Sequence, residues 1–437
     1  MGRNGQALYQ RAQQIIPGGT QLLSKRPEMF LPGQWPAYFR SAKGAHVVDL
    51  DGRTFLDMTV GGIGATVLGF ADPEVDAAVK AAVDNGTMCT LNSPEEVELA
   101  ELMIELHPWA EQVRFGRSGG EAMAIAVRIA RAATRREVVA FCGYHGWHDW
   151  YLSANLAQDD ALDGHLLSGL KPAGVPRGLV GLMQPFHFNR LDELEAIVAE
   201  HGQSLAAIVM EPVRSTEPTP EFLQGVRRIA DETGSALIFD EVTAGFRLNT
   251  GGAHMVYGVE PDIAVFAKAI ANGYPMASII GRRRFMDAAQ DSFISSTAWT
   301  ERVGFTAALA TIRKYRRENV SKHLCRIGER VQRGWRETAD RTGLPVEVSG
   351  IAPLGHIRFD VDEPNELRTL FTQMMLDRGI LASGAFYAMY AHTDADLDRY
   401  LEALADVFAQ LKAAVENRSV KQLLRGPVAH SGFTRLT

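Results

Sequence analysis

At 437 residues the chain exceeds what one compact core usually holds, so two or three structural units are expected. Apolar residues make up 46% and charged residues 22%, as in ordinary globular proteins, and the net charge of −7 argues against a nucleic-acid surface. Cys89, Cys142 and Cys325 have no CxxC spacing, so they indicate neither a disulfide framework nor a zinc site. No stretch approaches the roughly 20 apolar residues of a membrane helix, and the first residues lack the apolar segment of a secretory leader. A cytoplasmic protein with reduced thiols and no membrane partner is the expectation.

Residues 3–15 have helical spacing and stop at Pro17-Gly18-Gly19. From Tyr38 to Met58 an alternating pattern with a turn at Asp49–Arg53 suggests a small antiparallel unit. Val60–Gly69 is glycine-rich, and Pro73–Asn85 is helical. Ser93, Pro94 and Glu96 read as N-cap, first helical residue and capping-box partner of a helix running to about His107. Val113–Phe115 and Val138–Cys142 are short buried strands flanking an alanine-rich helix, 121–134.

Residues 152–182 have no sustained period and read as a long surface segment, with an active-site loop as one use for it. Helices are expected at 191–201 and 221–233, and strands at 206–210, 236–239 and 263–266. This alternation argues for a mostly parallel sheet wrapped by helices. Beyond Glu301, two helices (303–317 and 321–342), strands near 346–349 and 354–359, a helix at 366–378, a strand at 379–382 and a helix at 394–415 capped by Thr393 indicate a separate α+β domain. The expected division is an N-terminal segment 1–72, a large domain 73–318, a small domain 319–415 and a loosely attached tail 416–437. The basic runs Arg282–Arg284 and Arg313–Arg317 read as solvated faces.

Chemistry concentrates at the ends of the buried strands. The strand at 236–239 ends in Asp240 and Glu241, and the strand at 263–266 ends almost at Lys268. Ligands of open α/β sheets bind at the carboxyl ends of strands. A desolvated lysine there is a candidate for covalent catalysis, with a plain salt-bridging lysine as the other reading. Ser118-Gly119-Gly120 opens a helix after a strand. Free backbone N–H groups and a helix N-terminus favour an anion there, although plain capping gives the same pattern. Tyr144-His145-Gly146 places an aromatic ring at another strand end, where it can stack on a flat ligand or simply join the core. His145 and His148 lack carboxylates at matching spacing, so no metal is expected. A phosphate cup, an aromatic platform, an aspartate and a lysine on one sheet are the parts that a phosphorylated planar aldehyde with a ring nitrogen requires.

These residues resemble the class III (subgroup II) aminotransferases of pyridoxal-phosphate fold type I, nearest the branch with glutamate-1-semialdehyde aminomutase. The marks are FGRSGGEAMAIAVRIAR (115–131), YHGWHD (144–149), MEPVR (210–214), LIFDEVTAGFR (237–247) and FAKAIANGYP (266–275). The resemblance implies an α/β fold with a mostly parallel central sheet, plus a smaller α+β domain built from the C-terminal part and the N-terminal segment. It implies pyridoxal 5′-phosphate (PLP) as cofactor, with Lys268 as the Schiff-base lysine and proton shuttle and Asp240 as partner of the pyridine nitrogen. Val242 and Tyr144 would pack on opposite ring faces, and Ser118, Gly119 and Gly120 would cradle the phosphate. His145 would support the aromatic turn, and Glu211 would order groups near the ring. Thr297 would reach the phosphate of a partner subunit, which implies a homodimer with active sites at its interface.

The chain departs from the family pattern in places. Arg117 and Gly120 stand where the phosphate motif NSGTEA has Asn and Thr, so one side-chain contact is lost. Thr297-Ala298-Trp299-Thr300 replaces the usual continuation after the threonine. Leu22 and Lys25 stand where the aminomutase has a serine and an arginine, and lysine cannot reproduce a bidentate grip on a carboxylate. The expected function is transfer of an amino group from a small-molecule donor to a ketone or aldehyde acceptor. Trp35, Trp147, Trp150, Trp299 and Tyr387 could line a mouth suited to a sugar-like or cyclic acceptor. A glutamate-1-semialdehyde-type aminomutase is the alternative, and a non-catalytic regulator is disfavoured by the retained Lys268 and Asp240.

Overall fold

The computed structural model describes residues 4–158, 160–163, 165, 169–213 and 215–432. They form two compact units, one of residues 73–321 and one combining the residues before 73 with those from 322 onward. Arg214 of the MEPVR motif lies outside the described residues.

The N-terminal segment opens with helix Asn4–Ile15 and supplies three antiparallel strands, β1 (Phe39–Lys43), β2 (His46–Asp49) and β3 (Thr54–Met58). The 73–321 unit holds seven: β4 (Gln112–Gly116), β5 (Val138–Cys142), β6 (Met183–Pro185), β7 (Leu205–Met210), β8 (Ala236–Asp240), β9 (Ile263–Phe266) and β10 (Ala277–Gly281). They lie in the order β4-β10-β9-β8-β7-β5-β6. β10 runs antiparallel to both β4 and β9, while the other neighbours are parallel.

The central strands VVAFC, LAAIVM, ALIFD and IAVF are buried throughout. They are continuous apolar runs because helices cover both faces of the sheet. Val139, Phe141, Val209 and Ile238 point to the side covered by helix Gly119–Thr134. Ala140, Ile208, Met210 and Phe239 point to the side covered by Leu191–His201 and Pro220–Thr233. The segment 152–182 is not a free surface loop, because Ala154, Leu162 and Leu170 pack into the first of these cores.

The C-terminal segment adds β11 (Val346–Ser349), β12 (Leu354–Phe359), β13 (Ile380–Ala382) and β14 (Ala385–Tyr387). β13 pairs in parallel with β3, joining chain segments more than 300 residues apart into one four-stranded sheet. The smaller α+β unit is therefore built from both ends of the chain. Its last helix, Asp394–Glu416, carries the expected cap, with Asp396 N donating to Thr393 Oγ1 at 3.2 Å.

Two of these expectations are corrected and a third holds. Ser93 precedes helix Pro94–Leu106, but its side chain makes no capping hydrogen bond to it. The tail is anchored through Gly432. Helix Val420–Leu423 is followed by Arg425 on Asp377 (2.7 and 2.8 Å), and Ala429 N donates to Thr369 Oγ1 at 3.0 Å. The basic runs form solvated faces, as expected, and pair there with acids: Arg313 on Glu98, Arg316 on Glu105, Arg317 on Glu74 and Arg282 on Glu260.

Burial holds three histidines neutral, His107 and His392 fully buried and His165 half-buried. His107 Nδ1 donates to Met103 O (2.8 Å) while Nε2 accepts from Gly252 N (2.9 Å). His392 Nε2 donates to Asp57 O (2.9 Å) while Nδ1 accepts from Met389 N (2.9 Å). His165 Nδ1 accepts from Gly143 N at 3.1 Å. Burial pushes the pKa of each down from 6.5 to about 4. Between those values the unfolded chain binds protons that the native chain does not. Stability is therefore complete above about pH 6.5 and falls as pH drops toward about 4, by up to about 1.4 kcal/mol per pH unit for each group. Urea unfolding should show a midpoint that declines steadily from pH 7 to pH 5. A flat profile over that range would contradict the assignment.

Candidate active site

The carboxyl ends of β4, β5, β7, β8 and β9 lie along one edge of the sheet, since these strands share a direction. Chain order delivers to that edge Arg117–Gly120, Gly143–His148, Glu211, Asp240–Thr243 and Lys268. Side chains placed at strand ends are positioned by a rigid scaffold while staying open to a ligand.

Asp240 is buried at the end of β8 with both carboxylate oxygens engaged. Oδ1 accepts from Val242 N at 3.0 Å, and Oδ2 lies 2.8 Å from His145 Nδ1. His145 Nε2 is 3.1 Å from Cys142 O. A carbonyl only accepts, so Nε2 carries a hydrogen. Nδ1 and Oδ2 cannot both be bare at 2.8 Å, so a proton joins them. The Trp150 ring backs the imidazole, stacked at 6.3 Å.

Lys268 begins a short 3₁₀ turn with φ of +50°, a strained backbone for a non-glycine residue. Its Nζ donates to Thr243 Oγ1 at 2.8 Å. Thr243 is buried and lies three residues beyond Asp240, so one turn presents both the acid and the hydroxyl that orients the amine. The sequence reading passed over Thr243. Its only signal is its place in the strand-end turn. Glu241, beside Asp240, faces another way: it accepts from Ala253 N (3.0 Å), His254 N (2.9 Å) and His254 Nδ1 (2.7 Å), pinning the 251–254 loop.

Ser118 caps helix Gly119–Thr134 with an extended backbone. Below it Glu121 Oε2 accepts from Arg117 N at 2.7 Å and Ser118 N at 3.4 Å. Gly119 packs on Val242, where a Cβ would lie 2.8 Å from Val242 Cγ1. Gly120 meets Gly146 backbone to backbone: a Cβ on Gly146, whose φ is +106°, would come within 2.8 Å of Gly120 Cα. Gly119 and Gly146 therefore fit only as glycines. His148 Nδ1, beside Gly120, is buried and has no hydrogen-bond partner among the described residues.

Arg117, which replaces the asparagine of the family motif, turns away from this cup. Its Nη2 donates to Trp299 O (2.9 Å) and Glu301 O (2.6 Å), and its guanidinium lies 4.9 Å over the Phe305 ring. Burial lowers its pKa, while Glu301 acts in the opposite direction. Arg117→Ala should lower stability by about 1–3 kcal/mol, through two stranded carbonyls and lost stacking. Hydrogen exchange at residues 297–301 should rise, and unchanged protection there would refute this bracing role.

Tyr144 is 38% exposed and meets Tyr151 edge-on at 5.9 Å, while Glu211 is buried beside Gly143. Thr297 is exposed in a 3₁₀ turn beyond Phe293, which is 95% exposed. Of the aromatics expected at a mouth, Trp35 stacks on Phe30 inside its own unit, Trp150 and Tyr387 are buried, and Trp299 packs against a core. Only Trp147, 68% exposed, presents an open face. No group of three or more His, Cys, Asp or Glu able to hold a metal occurs among the described residues. None of the described helices is long and apolar enough to cross a membrane.

The family model "Aminotransferase class-III" matches residues 32–408. A 3-aminobutyryl-CoA aminotransferase of Cloacimonas acidaminovorans is 31% identical, covering 93% of this chain and 97% of its own. A 2'-deamino-2'-hydroxyneamine transaminase of Streptomyces kanamyceticus is 33% identical, covering 86% and 92%. A glutamate-1-semialdehyde 2,1-aminomutase of Syntrophobacter fumaroxidans is 34% identical, covering 93% and 97%. Among solved structures, the PLP-bound FumI protein of Sphingopyxis sp. MTA144 superposes with a TM-score of 0.85 at 27% identity, covering 94% and 97%.

Proposed function

The chain belongs to the class III aminotransferases, PLP-dependent enzymes that move an amino group from a donor to a ketone or aldehyde acceptor, and on that premise we propose that Lys268 is the residue bonded to the cofactor and the proton carrier of the reaction. One observation carries this: Lys268 Nζ is held 2.8 Å from Thr243 Oγ1, in the turn that also aims Asp240. When bound, the cofactor supplies an aldehyde that condenses with amines and a ring that accepts electron density.

The residues present fit that group. Gly119 and Gly120 leave open backbone at a helix start, where Ser118, Gly119 and Gly120 would receive the phosphate. Asp240, braced by His145, would hold the proton of the ring nitrogen. Val242 and Tyr144 would pack on the two ring faces, and Glu211 would order groups beside the ring. With the cofactor bound, the Lys268 amine would serve as general base and acid, the group that carries the proton in both halves of the exchange.

The assembly is read as a cytoplasmic homodimer in which Thr297 reaches the partner's phosphate. The exposure of Thr297 and Phe293 supports this. For the acceptor we favour a cyclic, sugar-like carbonyl compound. The relative named as a neamine transaminase and the open Trp147 face support that reading.

The aminomutase reading rests on the relative carrying that name, and Lys25 in place of an arginine counts against it. Protein loaded with the amine form of the cofactor should be mixed with cyclic sugar ketones, acyl-chain ketones and an amino aldehyde, and its absorbance followed. Turnover of sugar ketones, with keto-acid release from glutamate as donor, is expected. Conversion of the lone amino aldehyde without a donor would establish the mutase instead.

A further inference from the structure

Gly120 leaves the phosphate cup without the hydroxyl that a threonine would place there, and the structure puts another polar group in that space. A Cβ built on Gly120 would lie 3.3 Å from His148 Nδ1 and 3.5 Å from His148 Cε1, so the imidazole edge borders the space a side chain at 120 would enter. Gly146 makes this possible, since its missing side chain lets the 144–148 turn touch Gly120 Cα. The ring is fixed from its other side by Trp147, stacked at 4.5 Å and 28°. Nδ1 is shielded from solvent and satisfied by no described group. A polar atom left in that state beside open helix N–H groups points to a ligand that supplies the missing partner.

We propose that His148 is a further phosphate-binding residue, its Nδ1–H donating to the cofactor phosphate the side-chain hydrogen bond that Gly120 cannot provide. The inference rests on the reading of Ser118–Gly120 as the cup. A phosphate dianion there favours a hydrogen on Nδ1, and burial of the ring, which lowers its pKa, is offset by that charge.

The test titrates full-length protein, stripped of cofactor, with PLP and separately with pyridoxal, which lacks the phosphate. In a third arm inorganic phosphate is added as a competitor of PLP for the stripped protein. For His148→Ala the dissociation constant of PLP should rise about ten- to a hundred-fold, as for loss of a hydrogen bond to a charged group. Pyridoxal binding should stay within about two-fold, and phosphate should compete less well. His148→Gln, which keeps a donor, should recover part of the loss. Equal losses for PLP and pyridoxal, or no loss of PLP affinity in a variant with an unchanged thermal midpoint, would overturn the proposal. If wild-type protein forms no borohydride-fixed bond to PLP at Lys268, the parent reading fails instead, whatever His148 does.

Discussion

Lys268→Ala should leave a protein that takes up PLP but forms no borohydride-fixed bond to it, with transamination at least about 10⁴-fold slower. The size follows from two roles in one amine. Covalent attachment presents the cofactor already activated toward amine exchange. General acid–base transfer contributes about 10²–10⁴ by itself, and among the described residues Lys268 is the lysine that directly follows β9. Non-covalent uptake should persist, because Asp240 and the glycine cup are untouched. Thr243→Val gives the graded companion. It removes the hydroxyl at 2.8 Å that orients the amine, while nearly preserving shape, so a loss of about ten-fold is expected, with the bond to PLP intact. Mass spectrometry after borohydride locates the adduct, and an adduct that persists in Lys268→Ala at another lysine would sink the assignment.

The architecture was readable because buried strands are continuous apolar runs and their ends carry the polar residues. Asp240 and Lys268 stand out for that reason alone. Strand β10 escaped, since ASIIG follows the Asn272–Pro275 turn and nothing local reveals that it runs against its neighbours. Pairing of β13 with β3 is likewise a long-range fact that no window of sequence holds. Thr243 and His148 were missed for a different reason. A threonine in a turn and a histidine after a tryptophan carry no pattern until the fold sets one against Lys268 and the other against Gly120. The aromatics erred in the opposite sense: Trp35, Trp150 and Tyr387 look like mouth residues, yet they fill cores, the usual use of large rings.

Asp240→Asn should cost about 10²–10³ in kcat while leaving the bond between Lys268 and PLP in place, because the two residues act on different atoms. The substitution is nearly isosteric. An asparagine can still accept from Val242 N through its amide oxygen, so the strand end should hold its geometry. On the role proposed for Asp240, what would vanish is the negative charge that keeps a proton on the ring nitrogen, and with it the ring's capacity to absorb electrons from the substrate carbon. His145→Gln should cost less, about ten-fold, because His145 acts through Asp240: it fixes Oδ2 at 2.8 Å and is itself fixed by Cys142 O at 3.1 Å. The decisive result is the double variant. If His145 serves only to orient and charge-balance Asp240, removing both should be no slower than Asp240→Asn alone, since residues acting as a unit are not additive. Additive losses would instead mean that the imidazole touches the reacting atoms by its own route. The present geometry, with both ring nitrogens already committed to Asp240 and Cys142, leaves it no atom with which to do so.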